Sequence, residues 1–286
     1  MATALLQTET ESSRKPFHCW ADDKERVETF LSTLLLKSPA NALGPVPAAM
    51  EYAVLGEAQR IRPVLSLRLA RMLNCETDHT MRAAAAVELI HSASLMIDDL
   101  PCMDDETIRR GRLAAHIQFG EPTTILGAFS MVALAARIVL EAPASDAECT
   151  RLRRFQLALL STLDCSSLVG GQSMDLTLVG DARHEMRATV NDLKTVPLFQ
   201  LAIEAGCVSN PAGVPEDLSN FGRNFGVAFQ LTDDYLDGEF ENPEPLHHAY
   251  EHCRASLQPY GANAEALLEL VEYLAERAEI QSRNHR

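Results

Sequence analysis

The chain is poor in aromatic residues, poor in positive charge and free of any apolar run long enough to cross a membrane. Each shortage excludes something. Aromatics make up 6% of the 286 residues, with a single Trp. No alternating run lies between turn-forming pairs, and Ala and Leu are abundant, so an all-α architecture is expected rather than a sheet. Lys and Arg number 25 against 40 Asp and Glu, for a formal charge of −15. That balance lacks the basic footprint that nucleic acid or an anionic membrane surface requires. The uncharged run Pro122 to Ala136 is too short and too interrupted to span a bilayer and suits a buried helix, so no transmembrane segment is expected. The seven cysteines form neither close pairs nor metal-type spacings. Their odd number implies reduced thiols, mostly core filler, in a reducing and therefore cytoplasmic compartment.

No linker or low-complexity stretch divides the chain, so residues 1–286 are expected to form a single domain, with 1–20 a flexible tail. Residues 1–17 lack the charged start and apolar centre of a secretory signal, and Glu9 and Glu11 disfavour a transit peptide. Asp22 onward has the acidic start and apolar spacing of an outer helix. Pro39 to Pro47 reads as a loop, Asp146 to Arg154 as a charged connection and Ala262 to Ile280 as an amphipathic helix.

The chain is organised around the stretch from Glu88 to Arg112. An apolar helix expected over Thr80 to Ile97 runs into Asp98, Asp99, Asp104 and Asp105, and Arg109, Arg110 and Arg112 follow at once. Aspartates this dense at the end of an apolar segment repel one another unless a cation neutralises them. Divalent metal is the economical reading, since hard cations take oxygen ligands and complete their shell with water and phosphate oxygens. The arginines supply planar forks suited to phosphate. A solvated acidic turn would explain one such cluster. A second cluster, Asp233 and Asp237, lies four residues apart on one helix face and repeats the device.

The run Ser94 to Arg112 resembles the first aspartate-rich motif of the trans-isoprenyl diphosphate synthases, closest to the geranylgeranyl diphosphate synthase branch. Other landmarks of that family follow in order: Arg60-Ile-Arg62-Pro63, Gly170-Gly171-Gln172-Ser-Met-Asp175, Lys194-Thr195, and Phe229-Gln230 ahead of the second motif. The resemblance implies one large helical bundle around a central cavity, a homodimer, and head-to-tail condensation of isopentenyl diphosphate with an allylic diphosphate. It implies several Mg2+ ions, bridged by diphosphate, on Asp98, Asp104, Asp233 and Asp237. Asp98, Asp104, Asp233 and Lys194 are implied as the catalytic set. Arg60, Arg62, His91, Arg109, Arg110, Gln172, Asp175, Thr195 and Gln230 are implied to hold substrate. Pro101 must break the helix near Leu100, so Asp104 rather than the evenly spaced Asp105 is followed as ligand. Asp99 and Asp105 are then outer-sphere or solvated neighbours. The paired glycines 170 and 171 would interrupt an ordinary helix and imply a close approach.

The chain departs from the family at Gln59, where a lysine is usual, and after Lys194, where no further lysine occurs. Both departures leave open a catalytically silent partner subunit. A class I terpene cyclase is the other rival, but Asn191-Asp192…Thr195 ends at Phe199 where that enzyme class needs an acid. His247-His248 is a weak metal signal, expected to be exposed. Ser94 and Ala93 lie four and five residues before Asp98. The resemblance makes them determinants of product length, and a small residue at position 93 points to the twenty-carbon geranylgeranyl product, with farnesyl diphosphate the shorter alternative.

Overall fold

The computed structural model describes residues 20–36 and 44–284. Residues 1–19 of the tail expected over 1–20 and most of the loop expected over 39–47 lie outside the described residues, while Trp20 is buried in the core. Four helices open the fold: α1 (Ala21–Leu36), α2 (Val46–Val54), α3 (Ile61–Met72) and α4 (Asp78–Asp98). Two short strands, β1 (Ile108–Arg109) and β2 (Arg112–Leu113), pair antiparallel. Eight helices complete it: α5 (Ala115–Phe119), α6 (Glu121–Ile138), α7 (Asp146–Thr162), α8 (Leu168–Thr177), α9 (Gly180–Gly206), α10 (Glu216–Leu236), α11 (Glu244–Leu257) and α12 (Glu265–Asn284). No described helix is long and apolar enough to cross a membrane.

Helix α4 is the axis. It starts at a capping box in which the Thr77 and Thr80 side chains satisfy each other's backbone N–H groups. Its middle, Ala83 to Ile90, is completely covered by α1, α2, α3, α6 and α9. Four consecutive alanines let neighbours approach closely, and Val87, Leu89 and Ile90 each stabilise the fold by about 1.5–3 kcal/mol through burial. The helix stops where it must. Pro101 cannot donate, and the chain turns so that the Asp104 N–H reaches back to the Asp98 carbonyl at 2.8 Å.

Helices α9 and α10 form the second wall, and small residues set their separation. A Cβ on Gly222 would lie 2.5 Å from Ile203 Cγ1, and one on Gly226 3.0 Å from the Val196 Cα. Either would push α10 away. Phe199, Phe221 and Phe225 fill the seam, with the Phe199 and Phe225 rings edge to face at 5.3 Å. Helix α12 lies against α10 and α3. Arg68 of α3 ties it there, bonding Glu269 at 2.8 Å and Asp23 of α1 at 3.3 Å.

Four expectations change. Asp146 to Arg154 is helical, because Ser145 and Glu148 make a capping box that starts α7. Gly170 and Gly171 sit inside an unbroken α8. The run Pro122 to Ala136 is buried on one face only, with Leu126 and Phe129 exposed. Cys102, Cys149 and Cys165 are exposed and only Cys207 and Cys253 are buried, so half of the six described thiols are not core filler. The arginine-rich stretch forms a hairpin whose two turn residues, Arg110 and Gly111, both have positive φ, as a tight type I′ turn demands.

Candidate active site

Asp98 closes α4, and the turn after Pro101 brings Asp104 beside it. Asp104 Oδ1 accepts from Gln172 Nε2 of α8 at 3.1 Å. Lys194 of α9 donates to Asp175 Oδ2 at 2.7 Å and lies 4.0 Å from Asp104. The glycine pair explains this convergence. A Cβ on Gly171 would lie 2.8 Å from Leu193 Cβ and 3.1 Å from the Lys194 nitrogen, so α8 rests directly on the α9 backbone where Lys194 emerges. Gly170 likewise faces the Cys165 carbonyl, which a Cβ would strike. The close approach inferred from sequence is real, and what approaches is the protein's own backbone.

The next residue of α9 reaches the other cluster. Thr195 donates to Gln230 Oε1 at 2.5 Å, and Gln230 Nε2 donates to Asp234 at 2.8 Å. Asn191 also donates to Asp234. Asp233, on the same α10 turn, accepts from Arg277 Nη2 of α12 at 3.1 Å, and the Asp237 N–H bonds the Asp233 carbonyl. Consecutive α9 residues thus join both aspartate motifs. Two turns of chemistry depend on one helix.

The electrostatics suit cations. Burial holds the Asp98 carboxyl up at about 6, with Lys194 opposing and Asp104 and Asp99 adding to the rise. Burial also raises Asp233, against the pull of Arg277. Among the described residues no three His, Cys, Asp or Glu side chains form a ready-made metal cage. The donors present are carboxylate oxygens, which fit a hard cation that completes its shell with other oxygens. Gln172 Oε1, beside Asp104, is buried with no hydrogen bond among the described residues, an acceptor that the water of a hydrated ion would satisfy.

The arginines divide into two kinds. Arg62 Nη1 lies 3.3 Å from His91 Nε2 and its guanidinium stacks 4.5 Å from the Phe199 ring centre. Burial pushes Arg62 down to about 10. Burial and the nearby Arg62, Arg110, Arg60 and Arg109 hold His91 well below its usual value, so it is a neutral acceptor for Arg62. Arg60, expected to grip diphosphate, is instead turned inward. It adopts a left-handed conformation, φ 57°, pairs with buried Glu88 at 2.6 Å, and donates to the Val54 and Gly56 carbonyls. Arg109 is similarly committed, to Asp99 at 2.6 and 2.9 Å. Asp99 is 2% exposed and so is not a solvated neighbour. Asp105 is exposed. Arg110 lies 3.4 Å from Glu88 and donates to the Ala53 carbonyl.

Below Asp98 runs a cavity of about 540 Å³, lined by Ile90, Ala93, Ser94 and Ile97 of α4, Ala128, Phe129 and Val132 of α6, and Leu168, Val169 and Leu176 of α8. Asp98 and Gln172 stand at its polar end. His247 and His248 are exposed, far from forming a metal cage.

Three contributors lie outside the motifs. Glu88 anchors two arginines from within an apolar helix. Arg277 comes from the last helix. Pro197, inside α9, has no N–H for the Leu193 carbonyl one turn back, which frees an acceptor beside Lys194. Of these, the proline alone was readable, as a break in an otherwise helical stretch.

A family model described as polyprenyl synthetase matches residues 45–246. The chain belongs to the polyprenyl synthetase family. The geranylgeranyl diphosphate synthase of Pantoea ananas is 38% identical over 199 residues, 68% of this chain and 65% of that protein. The farnesyl diphosphate synthase of Haemophilus influenzae is 34% identical over 210 residues, 70% of this chain and 69% of that one. A crystal structure of a geranyltransferase from Legionella pneumophila superposes with a TM-score of 0.81 at 30% identity, covering 90% of this chain and 96% of the other. Matches to three curated geranylgeranyl synthases span only 54–65% of those proteins' lengths. This polyprenyl synthetase fold is all-helical, as expected from composition.

Proposed function

We propose that this polyprenyl synthetase is a short-chain trans-prenyltransferase that joins isopentenyl diphosphate to an allylic diphosphate and releases geranylgeranyl diphosphate. The observation that carries the reading is the junction on α9, where Lys194 serves the first aspartate motif and Thr195 the second, above an apolar cavity. Asp98, Asp104, Asp233 and Asp237 would hold Mg2+, which supplies positive charge to the departing diphosphate. Lys194 orients the same leaving group. Gln230, fixed by Thr195, and the free Leu193 carbonyl offer acceptor oxygens toward the cationic carbon left behind. Arg62, Arg110 and neutral His91 receive isopentenyl diphosphate, whose double bond forms the new carbon–carbon bond as the allylic carbon–oxygen bond breaks. The proton then lost from the adjacent carbon passes to released diphosphate. The apolar walls exclude water that would otherwise trap the cation.

No aromatic ring projects into the cavity from α4, which supports a twenty-carbon tail. The exposed Leu126, Phe129, Leu157 and Leu160 support a homodimer, and unpaired thiols support a cytoplasmic setting. The test is incubation with Mg2+, isopentenyl diphosphate and five-, ten- or fifteen-carbon starters, followed by chain-length analysis. Twenty-carbon product is expected. Metal-dependent binding without elongation would instead identify a silent subunit.

A further inference from the structure

We propose that Arg277 of α12 is a diphosphate-binding residue, held in reserve by Asp233 until metal displaces it. The inference rests on the prenyltransferase reading and adds to it a ligand from the last helix. Arg277 Nη2 donates to Asp233 Oδ1 at 3.1 Å, while its Nη1 is buried with no hydrogen-bond partner among the described residues. A guanidinium with one fork tooth satisfied and one idle is half of a bidentate anion site. Tyr273, one turn earlier on α12, lies under it, with the ring centre 5.8 Å from the guanidinium carbon, and limits its swing. Arg62 acts on the same Asp233 through space.

Charge balance then decides what happens when a divalent cation takes Asp233. Arg277 loses its carboxylate partner, while Arg62 keeps the nearby charge of Glu88. A partly buried guanidinium left beside a metal ion requires an anion, and the planar fork of Arg277 matches the oxygens of a diphosphate. No lysine follows Lys194 in the chain. Arg277 of α12 is the cation in contact with the second aspartate motif. Either substrate could present the group, and kinetics separates them.

The experiment is calorimetric titration of inorganic diphosphate into the full chain at saturating Mg2+, comparing wild type with Arg277→Met and Arg277→Lys. Met keeps the apolar stem. Loss of the fork should weaken binding at least about tenfold in Arg277→Met, and less in Arg277→Lys, which keeps a charge. The Michaelis constant that rises identifies the substrate served, isopentenyl or allylic. Arginine-directed footprinting of the unsubstituted chain with phenylglyoxal needs no folded variant, and Mg2+ plus diphosphate should protect Arg277. Unchanged affinity in Arg277→Met, or an unprotected Arg277, overturns this proposal alone. A wild-type chain that binds no diphosphate with Mg2+ overturns it together with the prenyltransferase reading.

Discussion

Replacing Ala93 by Phe should shorten the product from twenty carbons to fifteen while leaving the protein folded. Ala93 is 3% exposed and lines the cavity, five residues before Asp98, so it lies about 7.5 Å down the helix axis. Ile90, the deepest α4 residue on that wall, lies about 12 Å down. A ring projecting from position 93 thus removes about 4–5 Å of depth. One five-carbon unit adds four carbon–carbon bonds of about 1.5 Å each, roughly 5 Å when extended, so the loss corresponds to a single condensation. In a close-packed core the larger side chain would cost about 1–3 kcal/mol. With empty volume to occupy, the melting temperature should fall by less than about 4 °C, the shift expected for about 1 kcal/mol in a large domain. Chromatography of products against chain-length standards, alongside thermal melts, reads both quantities. A stable variant that still made twenty-carbon product would refute the cavity as the ruler. An unfolded one would show that Ala93 is there for helix packing.

Three other outcomes are expected. Asp98→Ala and Asp233→Ala should each lower turnover at least about 100-fold at saturating Mg2+ if stabilising the departing charge dominates, and near-normal steady-state rates in either would sink the two-motif scheme. Glu88→Ala strands buried Arg60 and should cost about 3–5 kcal/mol, measured by urea unfolding; a loss under 1 kcal/mol would show that the Val54 and Gly56 carbonyls suffice. In chelator, Asp98 binds its proton more tightly folded, at about 6, than at its ordinary 3.8. Its contribution to stability should therefore decline as pH rises from about 4 to 6 and level off above, and Asp98→Asn should flatten that segment of the melting-temperature profile.

The aspartate clusters stood out in the sequence because carboxylates crowded at the end of an apolar helix are costly without a neutralising charge, and Pro101 told correctly that even helical spacing would fail there. Asp104, not Asp105, folds back on Asp98. The partners of Arg60 and Arg109 were not legible, because a motif resemblance reports which residues lie near a site and not which acid pairs with them. Glu88 and Asp99, both 2% exposed, claim these two. The glycine pair announced a contact without naming it, since a missing Cβ is the same signal whether a substrate or a neighbouring helix fills the space. Arg277 was illegible for a plainer reason: its partner is on another helix, and no local pattern marks an arginine that packing alone brings to Asp233.

The pairing of α4 with α6 has a consequence for how the chain is made. Asp98 leaves the ribosome long before α9 and α10, on the order of ten seconds earlier at ordinary synthesis rates. Throughout that interval the apolar wall formed by Ile90, Ala93 and Ile97 has no α8 or α9 to face. Helix α6 follows α4 after only the short hairpin and α5, and it packs along α4 extensively. It is the first partner able to shield that wall. The apolar cavity is therefore guarded from aggregation by its own near side, and its far side closes only once α8 has emerged.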